Sequence, residues 1–195
     1  MMDTGNQERI EPITTSWPLS LRHRIELPDA TGHMIFWPVM FLGLAADLWS
    51  KHAVFAWLGE EPGQRGTIIE GFLSFQLALN EGAAFGIAGG QRPFLIGVAV
   101  LAMLVIFGVF FFGTGRQRVV QIALGLFAAG VSGNLWDRIF NDGRVRDFID
   151  VVYWPGRHWH TFNVADAWLC LAVGLLILAT FATDSSDRRR AQPQK

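Results

Sequence analysis

Two aspartates, Asp147 in VRDF and Asp166 in FNVAD, stand where apolar sequence meets polar sequence, each beside other hydrogen-bonding groups. A carboxylate at the centre of a bilayer costs roughly 2.5 to 3.5 kcal/mol on insertion scales, so acids at span ends tend to be partnered, hydrated or functional. Two carboxyls held close together cannot both ionise easily. One keeps its proton while the other stays charged, which furnishes an acid and a base in one place. Acids so placed point to proton-transfer chemistry at a membrane surface. Other polar residues share helical faces: Asp47 with Lys51, Asn134 with Asp137 and Arg138, and Asn163 with Asp166, all three or four apart. A helix in lipid turns such faces inward, so a single cluster is expected.

The elements that must position these groups are membrane spans. Hydrophobic residues make up 51% of the 195 residues, 17% are charged, mean hydropathy is +0.29, and there are 16 Phe and 8 Trp. A soluble domain of this length rarely has that balance. Four segments approach the about 20 residues that a crossing needs. They are residues 34–58, interrupted by Asp47 and Lys51; 93–112, without a charge; 119–138, polar in its last turn; and 166–183, apolar after its leading aspartate. The chain then divides into a polar arm (1–33), a four-span domain (34–183) and a basic tail (184–195). The arm carries no apolar h-region and no small-residue cleavage site, so the first span is expected to act as its own targeting signal. Arg22, Arg24, Arg116, Arg118 and Arg188 to Arg190 fall on one side of a four-span path, which predicts cytoplasmic termini. The bias is moderate, because Arg65, Arg92, Arg144, Arg146 and Arg157 fall on the other side. Trp49, Trp57, Trp136, Trp154, Trp159 and Trp168 map to the outer boundary, as interfacial anchors would.

Several function classes drop out. Net charge is −1, from 16 basic and 17 acidic side chains, and no basic block is interleaved with aromatics, so no nucleic-acid surface is expected. The single cysteine, Cys170, supplies neither an intramolecular disulfide nor a thiolate set for zinc, and reads as lipid-facing or core filler. His158 and His160 with Asp150 lack the H-E-x-x-H pattern, so no metal or other cofactor is expected. Ser50 or Ser132 with Lys51 would make a weak Ser/Lys hydrolase, since a serine adjacent to its lysine points elsewhere on a helix and no G-x-S-x-G elbow occurs. A small transporter or proton-conducting bundle is the non-enzyme alternative. It needs ionisable groups through the bilayer depth, and residues 93–112 have none.

Five blocks, DLWSK (47–51), NEGAAFG (80–86), GNLWDR (133–138), VRDF (145–148) and FNVAD (162–166), resemble in order and placement those of the bacterial lipoprotein signal peptidases, or signal peptidase II. The resemblance implies an all-α integral membrane protein of four transmembrane helices, with a small extracytoplasmic β-cradle and a short periplasmic helix; residues 66–80 would supply the cradle strand. It implies an intramembrane aspartic endopeptidase of the bacterial inner membrane, with its site at the extracytoplasmic face. The substrates would be diacylglyceryl-modified prolipoproteins, cut on the N-terminal side of the lipidated cysteine. The partners would be those substrates and membrane lipid, with no obligate protein partner evident. The family's catalytic pair maps onto Asp147 and Asp166. Asp47, Asn80, Gly82, Asn134, Arg138 and Asn163 match positions that line or support the site, and Lys51 and Asp137 belong to its motifs. The 33-residue arm and the aromatic WPGRHWH stretch depart from the pattern.

Read as residues alone, the same positions have plainer roles. Asp147 is a solvated loop acid, Asp47 with Lys51 and Asp137 with Arg138 are ion pairs at span ends, and Asn163 caps helix four. Asp166 would be that helix's third residue, where the dipole favours negative charge, so Asp166 is expected to be the resting carboxylate and Asp147 the protonated partner. In NEGAAFG, Gly82, Ala83 and Ala84 are small enough to admit a substrate backbone, and Asn80 offers it an amide.

Overall fold

A computed structural model describes residues 27–59, 63–82, 89–114 and 116–191, the last ten by backbone alone. Most of the polar arm, residues 83–86 of NEGAAFG and the side chains of the basic tail lie outside the described residues. Four helices dominate: α1 (Ala30–Leu58), α2 (Arg92–Gly113), α3 (Arg118–Phe140) and α4 (Val164–Ala191). All are long and apolar enough to cross a bilayer, α4 over Val164–Phe181. Among them α2, with mean hydropathy 3.0, buries little of itself against the protein, as a helix facing lipid should.

The helix α3 behaves oppositely, packing against α1, α2 and α4. Its buried face is rich in small residues, including Ala128, Ala129, Gly130 and Gly133, which lets backbones approach where no hydrophobic effect drives helices together. A Cβ on Gly130 would lie 2.6 Å from the carbonyl oxygen of Ala165, at the start of α4. Toward the opposite end of the bundle Phe36 stacks on Phe110 with ring centroids 4.0 Å apart, amid Met40, Ile106, Leu124 and Ala128.

The first helix begins ahead of the apolar run at Met34, because Asp29 caps it: Asp29 Oδ1 accepts the Gly32 N–H at 2.9 Å. Arg118, opening α3, grips both Asp29 oxygens at 2.6 Å. That guanidinium, with the Gly32 N–H, holds the Asp29 carboxyl well below the usual carboxylate range.

At the other end lies an open antiparallel sheet in the order β1 (Arg65–Ile69), β2 (Leu73–Asn80), β3 (Val145–Trp154), β4 (Arg157–His158). Residues 66–80, expected to give one cradle strand, give most of a hairpin that turns at Gly71 (φ 72°). The segment around Asp147, read as a loop, is instead the ten-residue strand β3. Asn141-Asp142-Gly143, with φ 49° at Asp142 and 87° at Gly143, turns the chain back from α3, and β3 then pairs with β2, Asp147 opposite Ala78. Leu77 and Phe148 seat the sheet on Val54 and Phe55 of α1. The described residues contain no helix beyond these four, so the short periplasmic helix is not among them.

Candidate active site

The polar residues converge at the junction of the bundle and the sheet. Asn163, just before α4, caps it: its Oδ1 accepts the Asp166 N–H and Asp166 Oδ2 accepts the Asn163 N–H, both at 3.1 Å. This reciprocal cap satisfies two orphan donors and fixes the Asp166 side chain. Asp166 Oδ1 then accepts from Asn134 Nδ2 at 2.9 Å. Asn163 Nδ2 donates both to Asn134 Oδ1 at 3.0 Å and to Asp147 Oδ1 at 2.6 Å. Two asparagine amides therefore bridge the two aspartates. Asn80 Nδ2 donates to the remaining oxygen of Asp147 at 3.1 Å, and Asn80 Oδ1 accepts the Gly82 N–H at 2.9 Å. The β2–β3 register shifts between Phe75 and Ala78, beside Asp147, an irregularity of the kind that re-aims side chains next to active sites.

Asp147 is no solvated acid, being only 2% exposed. Burial, and secondarily the Asp166 charge, push its carboxyl up to about 7, against the opposing pull of the Asn163 and Asn80 amides and of Lys51. This carboxyl is therefore suited to holding a proton near neutral pH.

Beneath the pair sits Lys51, fully buried, with its Nζ 2.8 Å from Asp47, 3.3 Å from Asp137 and 3.1 Å from Asn134 Oδ1. Asp47 Oδ1 also accepts the Ala165 N–H at 2.8 Å. The expected Asp137–Arg138 pair does not form, because adjacent residues on a helix point in different directions. Asp137 turns to Lys51 and to Arg146, whereas Arg138 donates to the Gly82 carbonyl at 2.8 Å and the Asn134 carbonyl at 3.2 Å, fastening the end of β2 to α3. Sequence reasoning gave no site role to Arg146 or to Gly133, where a Cβ would lie 2.9 Å from Asp47 Cγ. The glycine stands in GNLWDR next to Asn134, but the need for it arises only once α1 and α3 are in contact.

The rival sites find other partners. Ser50 Oγ donates to the Asp47 carbonyl at 2.9 Å and Ser132 Oγ to Met103 Sδ at 3.6 Å, so neither hydroxyl bonds Lys51. Asp150 accepts from Arg65 at 2.7 Å and Ser74 at 3.2 Å and meets His158 Nδ1 at 2.9 Å, while His160 Nδ1 lies against the Thr161 carbonyl. Among the described residues no three His, Cys, Asp or Glu gather as a metal site would require. Trp168, assigned to the aromatic belt, donates its Nε1–H to the Gly43 carbonyl at 3.1 Å and ties α4 to α1. Cys170 is exposed on a spanning helix, the lipid-facing choice of its two readings.

Four spanning helices with two bridged acids under a small sheet suit a hydrolase that works at a membrane surface. The family model for signal peptidase (SPase) II matches residues 39–182. A lipoprotein signal peptidase of Rhodopirellula baltica is 34% identical over 165 residues, covering 78% of this chain and 74% of that one. One from Geobacter metallireducens is 40% identical over 114 residues, covering 57% and 69%. A solved bacterial membrane enzyme, determined by the in meso method at 2.3 Å resolution, has a TM-score of 0.71 and 25% identity, covering 89% of this chain and 99% of that one. The chain belongs to the signal peptidase II family, and is thus a membrane-embedded protease of the class that processes lipoproteins.

Proposed function

We propose that this protein removes the signal peptide of diacylglyceryl-modified prolipoproteins, cutting on the N-terminal side of the lipidated cysteine, with Asp147 and Asp166 as an aspartate dyad. The observation that carries the reading is the double amide bridge through Asn163 and Asn134, which couples a buried, proton-holding carboxyl to a partly exposed one. Asp166, in the first turn of α4, is the resting carboxylate. It takes a proton from water as that water attacks the scissile carbonyl. Asp147 donates to the carbonyl oxygen, and a proton then passes to the leaving amine. Arg138 and Asn80 hold the end of β2 beside this site and so favour an extended substrate there.

The arginine distribution supports cytoplasmic termini and a site at the extracytoplasmic face of the inner membrane. The bundle's other end carries the Asp29–Arg118 clamp, and the Phe36–Phe110 core separates the two. That apolar separation counts against a proton-conducting path. The lipidated cysteine and the apolar signal helix would arrive laterally, along walls formed by α1 and α4. Purified protein in liposomes should therefore cleave a diacylglyceryl-modified prolipoprotein at least about tenfold faster than its unlipidated form, since acyl burial contributes about 0.8 kcal/mol per CH₂. Equal rates would contradict lateral, lipid-dependent recognition.

The pH dependence has a definite sign. Catalysis needs Asp147 protonated, so kcat should fall as pH rises through about 7. Stability follows the same direction. The folded state holds this proton up to about 7 whereas the unfolded chain loses it near 3.8, so the contribution is complete below about 4 and lost as pH rises through about 7. A pH–kcat profile flat from 5 to 9 would contradict the assignment.

A further inference from the structure

We propose that Arg146 is a positioning residue that sets the separation of the two aspartates through a chain of buried ion pairs; the proposal rests on the dyad reading above. Arg146 binds Asp137 three times: its backbone N–H to Oδ2 at 3.0 Å, Nε to Oδ1 at 3.1 Å and Nη2 to Oδ1 at 2.6 Å. Asp137 meets Lys51 at 3.3 Å, Lys51 meets Asp47 at 2.8 Å, and Asp47 accepts the Ala165 N–H at 2.8 Å. The first member of this chain is peptide-bonded to Asp147 and the last to Asp166. A branch from Lys51 to Asn134 Oδ1, at 3.1 Å, reaches Asp166 again through the Asn134 amide.

The chain thus runs from β3 through α3 and α1 to α4, the elements on which the two acids are carried. Asp137, Lys51 and Asp47 are fully buried, and only the Arg146 side chain, 22% exposed, reaches the surface. Its two cations balance its two anions. Without the guanidinium, Asp47 and Asp137 share one lysine, and β3 keeps a single backbone N–H on α3 at that point. Lysine cannot replace the contact fully, because a point charge does not reproduce the planar fork that places Nε and Nη2 together on one oxygen. Misplacement of a reacting group by about 1 Å can cost on the order of 100-fold in rate. Substrate binding, set by the lipid and the signal helix, should be little changed.

The test measures kcat and KM on a diacylglyceryl-modified prolipoprotein in nanodiscs for wild type, Arg146→Met, Arg146→Lys, Asp147→Asn and the Arg146→Met/Asp137→Asn pair against its single variants. Arg146→Met should lower kcat on the order of 10- to 100-fold with KM within about threefold, and Arg146→Lys should recover part of the loss. The double variant should be no slower than the slower single one, since both break the same link. Wild-type kcat in Arg146→Met, a defect confined to KM, or a double variant with multiplied losses would overturn the proposal. If Arg146→Met does not accumulate as folded protein, Arg146→Lys decides: a lowered kcat at unchanged KM supports the role and wild-type kcat overturns it. Turnover by Asp147→Asn would instead remove the dyad reading. An inactive Asp147→Asn beside a fully active Arg146→Met would remove only the positioning role.

Discussion

Asp147→Asn and Asp166→Asn should each lose turnover by on the order of 10³-fold or more while still inserting as four helices. General acid–base catalysis by one group contributes roughly 10² to 10⁴-fold, and an amide can neither release nor take up the proton. The two variants fail for different local reasons. At Asp147 both oxygens accept amide donors, from Asn163 and Asn80, so an introduced NH₂ faces a donor on one side and turns its neighbour away. At Asp166, one oxygen serves the Asn163 N–H and the other the Asn134 amide, so an asparagine keeps only one of these contacts. Turnover is to be read alongside helix content and the heat-unfolding midpoint. Activity within tenfold of wild type in either folded variant would contradict the mechanism.

Lys51→Met should be the most destabilising single change at the site, by on the order of 3 to 5 kcal/mol, because removing one partner leaves uncompensated buried charge. Asp47 and Asp137 both lose their shared cation, and neither has any exposed surface at which to recover solvation. The damage should spread to chemistry, since Asn134 loses its lysine donor and Asp47 its anchor beside Ala165. Asp47→Asn should be milder, for an amide oxygen can still accept the Ala165 N–H. Thermal unfolding in one detergent checks the order. A Lys51→Met protein that unfolds at the wild-type midpoint would contradict the account.

How much of this was legible in the sequence depends on the range of each contact. The Asn163–Asp166 cap and the Asp47–Lys51 pair lie within one helical turn, and their spacing alone announced them. The four apolar segments likewise gave the four spanning helices, though not the Asp29 cap that starts α1 early. Contacts between elements were hidden. Adjacency suggested that Asp137 pairs with Arg138, but Asp137 instead serves Lys51 from α1 and Arg146 from β3. Asp147 read as a loop acid because the strand it pairs with lies far back in the chain: it faces Ala78 in β2, and its side-chain partner Asn80 stands 67 residues earlier. A local signal was nonetheless present: FIDVVYW is rich in β-branched and aromatic residues and follows Asn-Asp-Gly, a turn sequence suited to positive φ. Trp168 was grouped with the interfacial tryptophans by position, whereas its hydrogen bond to Gly43 depends on how α4 meets α1.

The shared proton underlies the mechanism, the pH limb and the role given to Arg146. Infrared difference spectra of the protein in lipid, taken across a pH titration of wild type, Asp147→Asn and Asp166→Asn, test it most directly. The account predicts a protonated-carboxyl band that is lost as pH rises through about 7 and is missing from Asp147→Asn. A band that disappears in Asp166→Asn while surviving in Asp147→Asn would place the proton on the other aspartate, and the absence of any such band in the wild type would contradict the shared proton altogether.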